Sequence, residues 1–234
     1  ELMLRVSDWR GALFVTGGAA VVAASLFGIF SEGGHFRGAP PHFSKIRVVT
    51  GSPAFWTAAV FMLWAMVGHM GIYSMLPSYL VSEVGMPRPT VNTIVGLSRT
   101  MGLGAIFFAG ALADRFGVRR VLITTGVLGG LFILGIGSLS GWPLVVSVVL
   151  QALTSAALFP VVLTALSSVG PRETRNLTIS LTVPFGYILG GGLVPLGMGW
   201  MAETVSFRLG FLLLGGLMAT YSGMVALRRP KKST

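Results

Sequence analysis

The residues best suited to chemistry in this sequence are a few polar side chains inside long apolar stretches. Arg99 follows Val91 by eight residues in one such stretch. At 1.5 Å of helix rise per residue, Arg99 would lie about 12 Å into a hydrocarbon layer roughly 30 Å thick. An arginine at that depth costs about 2.5–3.5 kcal/mol or more. With no Asp or Glu buried in the apolar stretches, we expect Arg99 to face an acidic group elsewhere, a set of carbonyls or an anionic ligand.

Three further residues are candidates for the same site. His69 can titrate near neutral pH and so move a proton, but it equally fits a hydrogen-bonded packing residue. Tyr73 follows one helical turn later on the same face. Tyr187 lies between Pro184 and a run of three glycines, a composition that lets a helix bend and expose backbone groups to a cavity.

The elements that must position these residues are membrane-spanning helices. The chain is 53% hydrophobic and only 10% charged, with a mean hydropathy of +0.81, which is typical of an all-α polytopic membrane protein. Because a span needs about 20 apolar residues, seven transmembrane helices are predicted. They cover residues 11–30, 53–81, 91–113, 121–139, 142–168, 177–201 and 209–227.

Polar residues inside the later spans indicate contacts between helices. The fifth predicted span contains Gln151, Thr154 and Ser155, and the fourth contains Gly126 and Gly130. Interhelical hydrogen bonds and close packing at small residues explain both groups.

The basic residues predict how the chain crosses the membrane. Lys and Arg fall twelve to one side of the spans and four to the other, and the basic side is expected to be cytoplasmic. The C-terminus is therefore expected on the cytoplasmic side. The chain starts with Glu1 and shows no signal-peptide pattern, which indicates preceding sequence. The twelve Lys and Arg residues on the basic side of the spans are Arg37, Lys45, Arg47, Arg115, Arg119, Arg120, Arg172, Arg175, Arg228, Arg229, Lys231 and Lys232.

A charged segment between the third and fourth predicted spans carries the most specific pattern. Residues 110–120 read GALADRFGVRR. This segment resembles the loop signature of the major facilitator superfamily, Gly-x-Leu-Ala-Asp-Arg-x-Gly-Arg-Arg/Lys, and only Val118 departs from it. The matching residues are Gly110, Leu112, Ala113, Asp114, Arg115, Gly117 and Arg119.

The resemblance implies an architecture. The family has twelve helices and carries this signature after the second and the eighth. Here the signature follows the third span, so the chain resembles the sixth helix (residues 1–30 with a periplasmic lead), the central cytoplasmic loop (31–52) and the C-terminal six-helix half (53–234). The Asp8-Trp9-Arg10 lead into the first span is a weaker match to the same family. The N-terminal half would then be a missing partner of this chain.

The resemblance also implies roles for the signature. Gly110 would let a neighbouring helix approach closely, and Gly117 would permit the turn. Asp114 would face the positive end of a helix in the other half, an attraction of roughly 0.3–1 kcal/mol. Together with Arg115 and Arg119, these residues would form a gating loop that latches the cytoplasmic face.

By this resemblance the chain is expected to be part of a secondary transporter that works by alternating access in a bacterial inner membrane. The favoured substrate is a small inorganic or carboxylate anion bound by Arg99 with Tyr187, His69 and Tyr73. Two alternatives stay open: a proton-coupled exporter of hydrophobic compounds in which Arg99 is structural, and a transport-incompetent scaffold or sensor in the membrane.

The residue patterns typical of metal sites and enzymes do not occur in the sequence. The chain has no Cys, and His35, His42 and His69 do not show HExxH spacing, so neither a metal nor a cofactor is expected. Neither a serine-nucleophile elbow nor a P-loop occurs, which argues against an enzyme. The net charge of +10 is confined to short loops and predicts topology, not nucleic-acid binding.

Overall fold

The structure is a computed structural model that describes residues 9–31, 43–169 and 174–228. Several residues used in the sequence argument lie outside those ranges, among them Arg5, Asp8, His35, Arg37, His42, Arg172, Arg229, Lys231 and Lys232. Within the described ranges, seven helical stretches are long and apolar enough to cross a membrane, which confirms the seven predicted spans. They are Leu13–Phe30, Pro53–Ser82, Arg88–Phe116, Val118–Ser138, Gly141–Ser167, Arg175–Thr204 and Phe207–Leu227.

The chain divides into two compact units, Glu1–Pro40 and Pro41–Thr234. The first unit contains helix α1 (Trp9–Phe30). Its hydroxyl groups bond to carbonyls of the preceding turn, as those of Thr16 and Ser25 do. These bonds satisfy polar groups that the apolar interior of a membrane would leave without water.

The second unit contains the other six spans and a short helix before them. Two of the spans are each interrupted by a π-helical segment, in which the helical turn is wider than in an α-helix. The elements are α2 (Phe43–Thr50), α3 (Pro53–Met66), π1 (Val67–Ile72), α4 (Tyr73–Ser82), α5 (Arg88–Phe116), α6 (Val118–Ser138), α7 (Gly141–Ser167), α8 (Arg175–Gly186), π2 (Tyr187–Leu193), α9 (Val194–Thr204) and α10 (Phe207–Leu227).

Glycines bring pairs of helices into backbone contact. A Cβ at Gly130 in α6 would lie 2.6 Å from the backbone nitrogen of Ala219 in α10. A Cβ at Gly190 in π2 would lie 2.8 Å from the backbone nitrogen of Val67 in π1. No real side chain tolerates such distances, so glycine is required at both places. The small-residue packing predicted at Gly130 is therefore confirmed, and it joins the fourth span to the seventh. The contact at Gly190 joins the sixth span to the second in the same way.

Candidate functional site

The candidate site is a cavity of about 220 Å³ between the second, third and fifth spans. His69 from π1 and Tyr73 from α4 line it on one side, and Arg99 from α5 lines it on another. Gln151 and Ser155 reach it from α7. The sequence placed the first three residues in one site, and the structure brings them together.

Among the described residues, the side chain of Arg99 is held by the second span. Its Nη2 donates to the backbone oxygen of His69 at 2.6 Å, and its Nη1 lies 3.2 Å from Nδ1 of the His69 ring. The guanidinium carbon stands 3.5 Å from the centroid of the Tyr73 ring, a cation–π contact. Each of these contacts is made to a backbone carbonyl or to an aromatic ring.

No carboxylate compensates the charge of Arg99 within the described ranges. The acidic residues there are Glu83, Asp114 and Glu203, and each lies at or near the end of a helix. Arg99, in contrast, lies eleven residues from the start of a 29-residue helix. Its cationic charge is therefore solvated by dipoles and a π face, not by an ion pair.

The guanidinium also keeps hydrogen-bonding capacity. It has five N–H donors. Nη1 lies 3.2 Å from Nδ1 and 3.4 Å from Nε2 of the His69 ring, and one N–H of Nη2 bonds to the backbone oxygen. At least two donors, on Nε and Nη2, are not used by these contacts, and two donors suffice for a bidentate bond to a carboxylate.

Tyr187 lies elsewhere. It begins π2 in the sixth span, is 41% exposed, and is not among the residues that line this cavity. Its position beside the three glycines in the sequence did not show which side of the sixth span faces the cavity. Its contribution to substrate binding stays a prediction.

Most of the charged signature lies in a helix and not in a loop. Helix α5 continues through Gly110, Asp114 and Arg115 to Phe116, and the chain turns only at Gly117, which has φ 87°. The predicted end of the third span at residue 113 was three residues too early, because the helix-forming residues before Gly117 extend the span. The assignment of the turn itself to Gly117 was right, since a positive φ favours glycine.

Two parts of the signature differ from expectation in their contacts. Nothing in the described part of the chain lies within 4 Å of a Cβ built on Gly110, so no helix approaches it there. Arg119, expected in the gating loop, donates through Nη2 to the backbone oxygen of Val225 at 2.8 Å and to that of Arg228. These carbonyls belong to the C-terminal end of α10, where the helix dipole is negative.

Sequence reasoning did not anticipate a second charged contact, at the other end of the same helix. The carboxylate of Glu83 accepts hydrogen bonds from the backbone nitrogens of Phe207 at 2.7 Å and Arg208 at 3.3 Å. These nitrogens open α10, where the dipole is positive. An acidic residue just after a span was the available signal, but its partner is 124 positions away.

Comparison with known proteins gives the same family as the signature. The profile of the Major Facilitator Superfamily matches residues 68–234. The chain is 28% identical over 154 residues to a sugar efflux transporter A of Dickeya chrysanthemi, covering 64% of this chain and 38% of that protein. It is 29% identical over 165 residues to a cis,cis-muconate transport protein of Acinetobacter baylyi, covering 67% of this chain and 39% of that protein. The chain thus spans about two fifths of the length of these relatives.

The match covers all the residues that form the cavity and the charged signature, and the seven apolar helices fit an integral membrane protein. This chain belongs to the Major Facilitator Superfamily.

Proposed function

We propose that this chain is part of a secondary active transporter that moves a small carboxylate by alternating access, with Arg99 as the anion ligand. The observation that carries the proposal is the position of Arg99 inside a span without a neutralising carboxylate in the part of the chain that the structure describes. It is inside a span, it has no carboxylate partner among the described residues, and at least two of its N–H groups are not used by His69. A cation inside a span without a counter-charge is costly, and a substrate anion would supply that charge.

The relatives support a carboxylate over an inorganic anion. One of them is named for cis,cis-muconate, which carries two carboxylates. A guanidinium binds a carboxylate through two parallel hydrogen bonds, and this geometry favours a planar anion. His69 and Tyr73 would fix the orientation of the guanidinium plane, and Tyr187 would contribute from the sixth span.

A neutral solute is the second candidate, because another relative is named for sugar efflux. In that case Arg99 maintains the contact between the second and third spans, and the substrate bonds to other polar groups of the cavity. Exporters of hydrophobic compounds would use the cavity in the same way, without an anion contact.

The test is uptake into proteoliposomes by the full-length gene product. The panel contains cis,cis-muconate, succinate, acetate, nitrate and a neutral disaccharide. In Arg99→Gln we expect the KM for the transported anion to rise about 10- to 100-fold, as loss of a charged hydrogen bond of about 1.5–3 kcal/mol requires. Arg175→Gln is the matched control, since Arg175 lies at the start of α8 and is exposed. Wild-type anion kinetics in Arg99→Gln contradict the proposal, and disaccharide transport independent of Arg99 supports the second candidate.

The charged signature supports a gating role in the same proposal. Asp114 and Arg115 are exposed at the end of α5, where another part of the transporter can contact them as the cavity opens and closes. Arg119 would serve the gate indirectly, since its Nη2 is bonded to the end of α10.

The membrane is proposed to be a bacterial inner membrane with the C-terminal end of α10 on the cytoplasmic side. The support is the distribution of basic residues and the bacterial origin of both relatives. A fluorescent protein fused after Thr234 should fluoresce, and an alkaline phosphatase fused there should be inactive. The reverse result contradicts this orientation.

A further inference from the structure

The segment that carries His69 is fixed from a second direction, by the fifth span. Nε2 of Gln151 donates to the backbone oxygen of Gly68 at 3.2 Å and to Oγ of Ser155 at 2.8 Å. Gln151 is 3% exposed and Ser155 is 4% exposed. Two successive carbonyls of π1, those of Gly68 and His69, therefore bond to side chains of two different spans.

The contact requires glycine at position 68. A Cβ there would lie 2.2 Å from Oγ of Ser155 and 3.2 Å from Nε2 of Gln151. Any other residue would displace the serine and lengthen the bond from Gln151. The fit between π1 and α7 is thus tight at the residue directly before His69.

Gln151 lines the cavity, but its amide does not have the donors to bind an anion. The amide nitrogen has two N–H groups, and both point to acceptors within the protein. The only other polar atom of the side chain is the amide oxygen, which repels an anion. Gln151 therefore does not substitute for Arg99 as a ligand.

We propose that Gln151 is a positioning residue for the anion site. Through the carbonyl of Gly68 it fixes the peptide that precedes His69, and so it fixes the imidazole and the carbonyl that hold Arg99. A π-helical turn has wider i→i+5 bonds in place of those of an α-helix and is common at functional sites, so bonds from other spans to its carbonyls contribute to its geometry. This inference rests on the proposed function for its effect on transport, but not for its effect on His69.

The experiment measures the reactivity of the His69 ring. Diethyl pyrocarbonate modifies unprotonated imidazole nitrogens, and mass spectrometry of the His69 peptide gives the rate in the full-length protein. In Gln151→Leu we expect the rate at His69 to rise about two- to tenfold, which corresponds to the net loss of about one hydrogen bond. The KM for the transported anion should rise by a similar factor, while the maximal rate changes less than twofold.

Thr154→Val is the matched control. Thr154 lies on the same helix, but its hydroxyl donates only to Leu150 and Gln151 of that helix. We expect wild-type His69 reactivity and wild-type KM in this variant. An equal rise in Thr154→Val and Gln151→Leu would show a general loosening of α7 and overturn the proposal.

Ser155→Ala keeps the test decisive if Gln151→Leu does not fold. It removes the hydroxyl that orients the amide of Gln151 but keeps the bond from that amide to Gly68. A smaller rise in His69 reactivity is therefore expected. Unchanged reactivity in every folded variant overturns the positioning role. Failure of the proposed function is seen separately, as wild-type anion kinetics in Arg99→Gln, because the modification rate requires no substrate.

Discussion

Arg99 and Arg119 are twenty residues apart in the sequence and both bond to backbone carbonyls of another helix, yet their surroundings differ. Nη2 of Arg119 bonds to two carbonyls at the end of α10, and the other carbonyls of that last turn add partial negative charge. Nη2 of Arg99 bonds to one carbonyl in the middle of a span. Arg119 therefore faces the partial negative charge of a helix C-terminus, whereas Arg99 meets a single carbonyl within a span and two aromatic rings.

The difference shows what separates a structural arginine from a ligand-binding one. A structural arginine bonds to the groups it holds together at a place of opposite partial charge, so its removal weakens the fold. A ligand-binding arginine is held in place by neutral groups and keeps donors for the ligand, so its removal weakens binding. If this distinction holds, substitutions of Arg119 will lower the stability of the protein, and substitutions of Arg99 will weaken the binding of the anion.

After the loss of the charge in Arg99→Gln, the next largest effect is expected when the charge at position 99 is kept and its shape is changed. Arg99→Lys retains the cation but loses the planar pair of donors. We expect the KM for the transported anion to rise about tenfold, which is about 1.4 kcal/mol, with the melting temperature in detergent unchanged. A KM equal to that of the wild type would show that charge alone, and not bidentate geometry, binds the anion.

Arg119→Gln should give the opposite pattern. Loss of the charge at the end of α10 is expected to destabilise the protein by about 1 kcal/mol, measured by thermal or denaturant unfolding in detergent. The KM should not change. The adjacent Arg120→Gln is the control, because it removes the same charge from a residue that is also exposed but, in the part of the chain that the structure describes, is not bonded to the end of α10. Equal stability of the two variants would rule out a specific role for the bonds to Val225 and Arg228.

Glu83→Gln tests the other end of the same helix with a smaller effect. The amide oxygen can still accept one bond from Phe207 or Arg208, so the loss is mainly the charge at the helix N-terminus, about 0.5–1 kcal/mol. Unfolding in detergent measures it. Glu203→Gln is the control, since Glu203 is an exposed acid near the end of α9. A greater loss in Glu203→Gln than in Glu83→Gln would contradict the assignment.

The smallest effect is expected at Tyr73, which contacts the face of the guanidinium. Tyr73→Leu removes a cation–π contact of about 0.5–1 kcal/mol at a partly exposed site. The KM for the anion should rise about two- to fivefold, while Tyr73→Phe keeps the ring and stays near the wild type. A rise in Tyr73→Phe equal to that in Tyr73→Leu would indicate that the hydroxyl group, and not the ring, contributes.

Much of the fold was readable from the sequence. Hydropathy and turn residues predicted all seven spans, because the need for about 20 apolar residues acts on each segment separately. The signature at residues 110–120 gave the family, and Gly117 was correctly identified as the turn. The helical continuation to Phe116 was missed, since turn residues mark where a helix must end and not how far the preceding span extends.

The candidate site was predicted in part. Arg99, His69 and Tyr73 were recognised because polar residues are rare in apolar spans, and the i, i+4 spacing of the last two placed them on one face. Gln151 was seen as an interhelical residue, but its partner at Gly68 was not. Tyr187 was assigned to the same site on composition alone, and the structure places it outside the cavity.

By itself the sequence determined the class of protein, the number of spans, the family and the presence of an arginine inside a span, since each follows from local composition or from a short contiguous pattern. Only the tertiary structure decided which groups meet: Arg99 with the carbonyl of His69, Gln151 with that of Gly68, and Glu83 and Arg119 with opposite ends of α10. Those pairings depend on the rotation and relative height of each helix. Both are set by packing over the whole bundle, including glycine contacts such as that of Gly190 with Val67, and no short stretch of sequence records them.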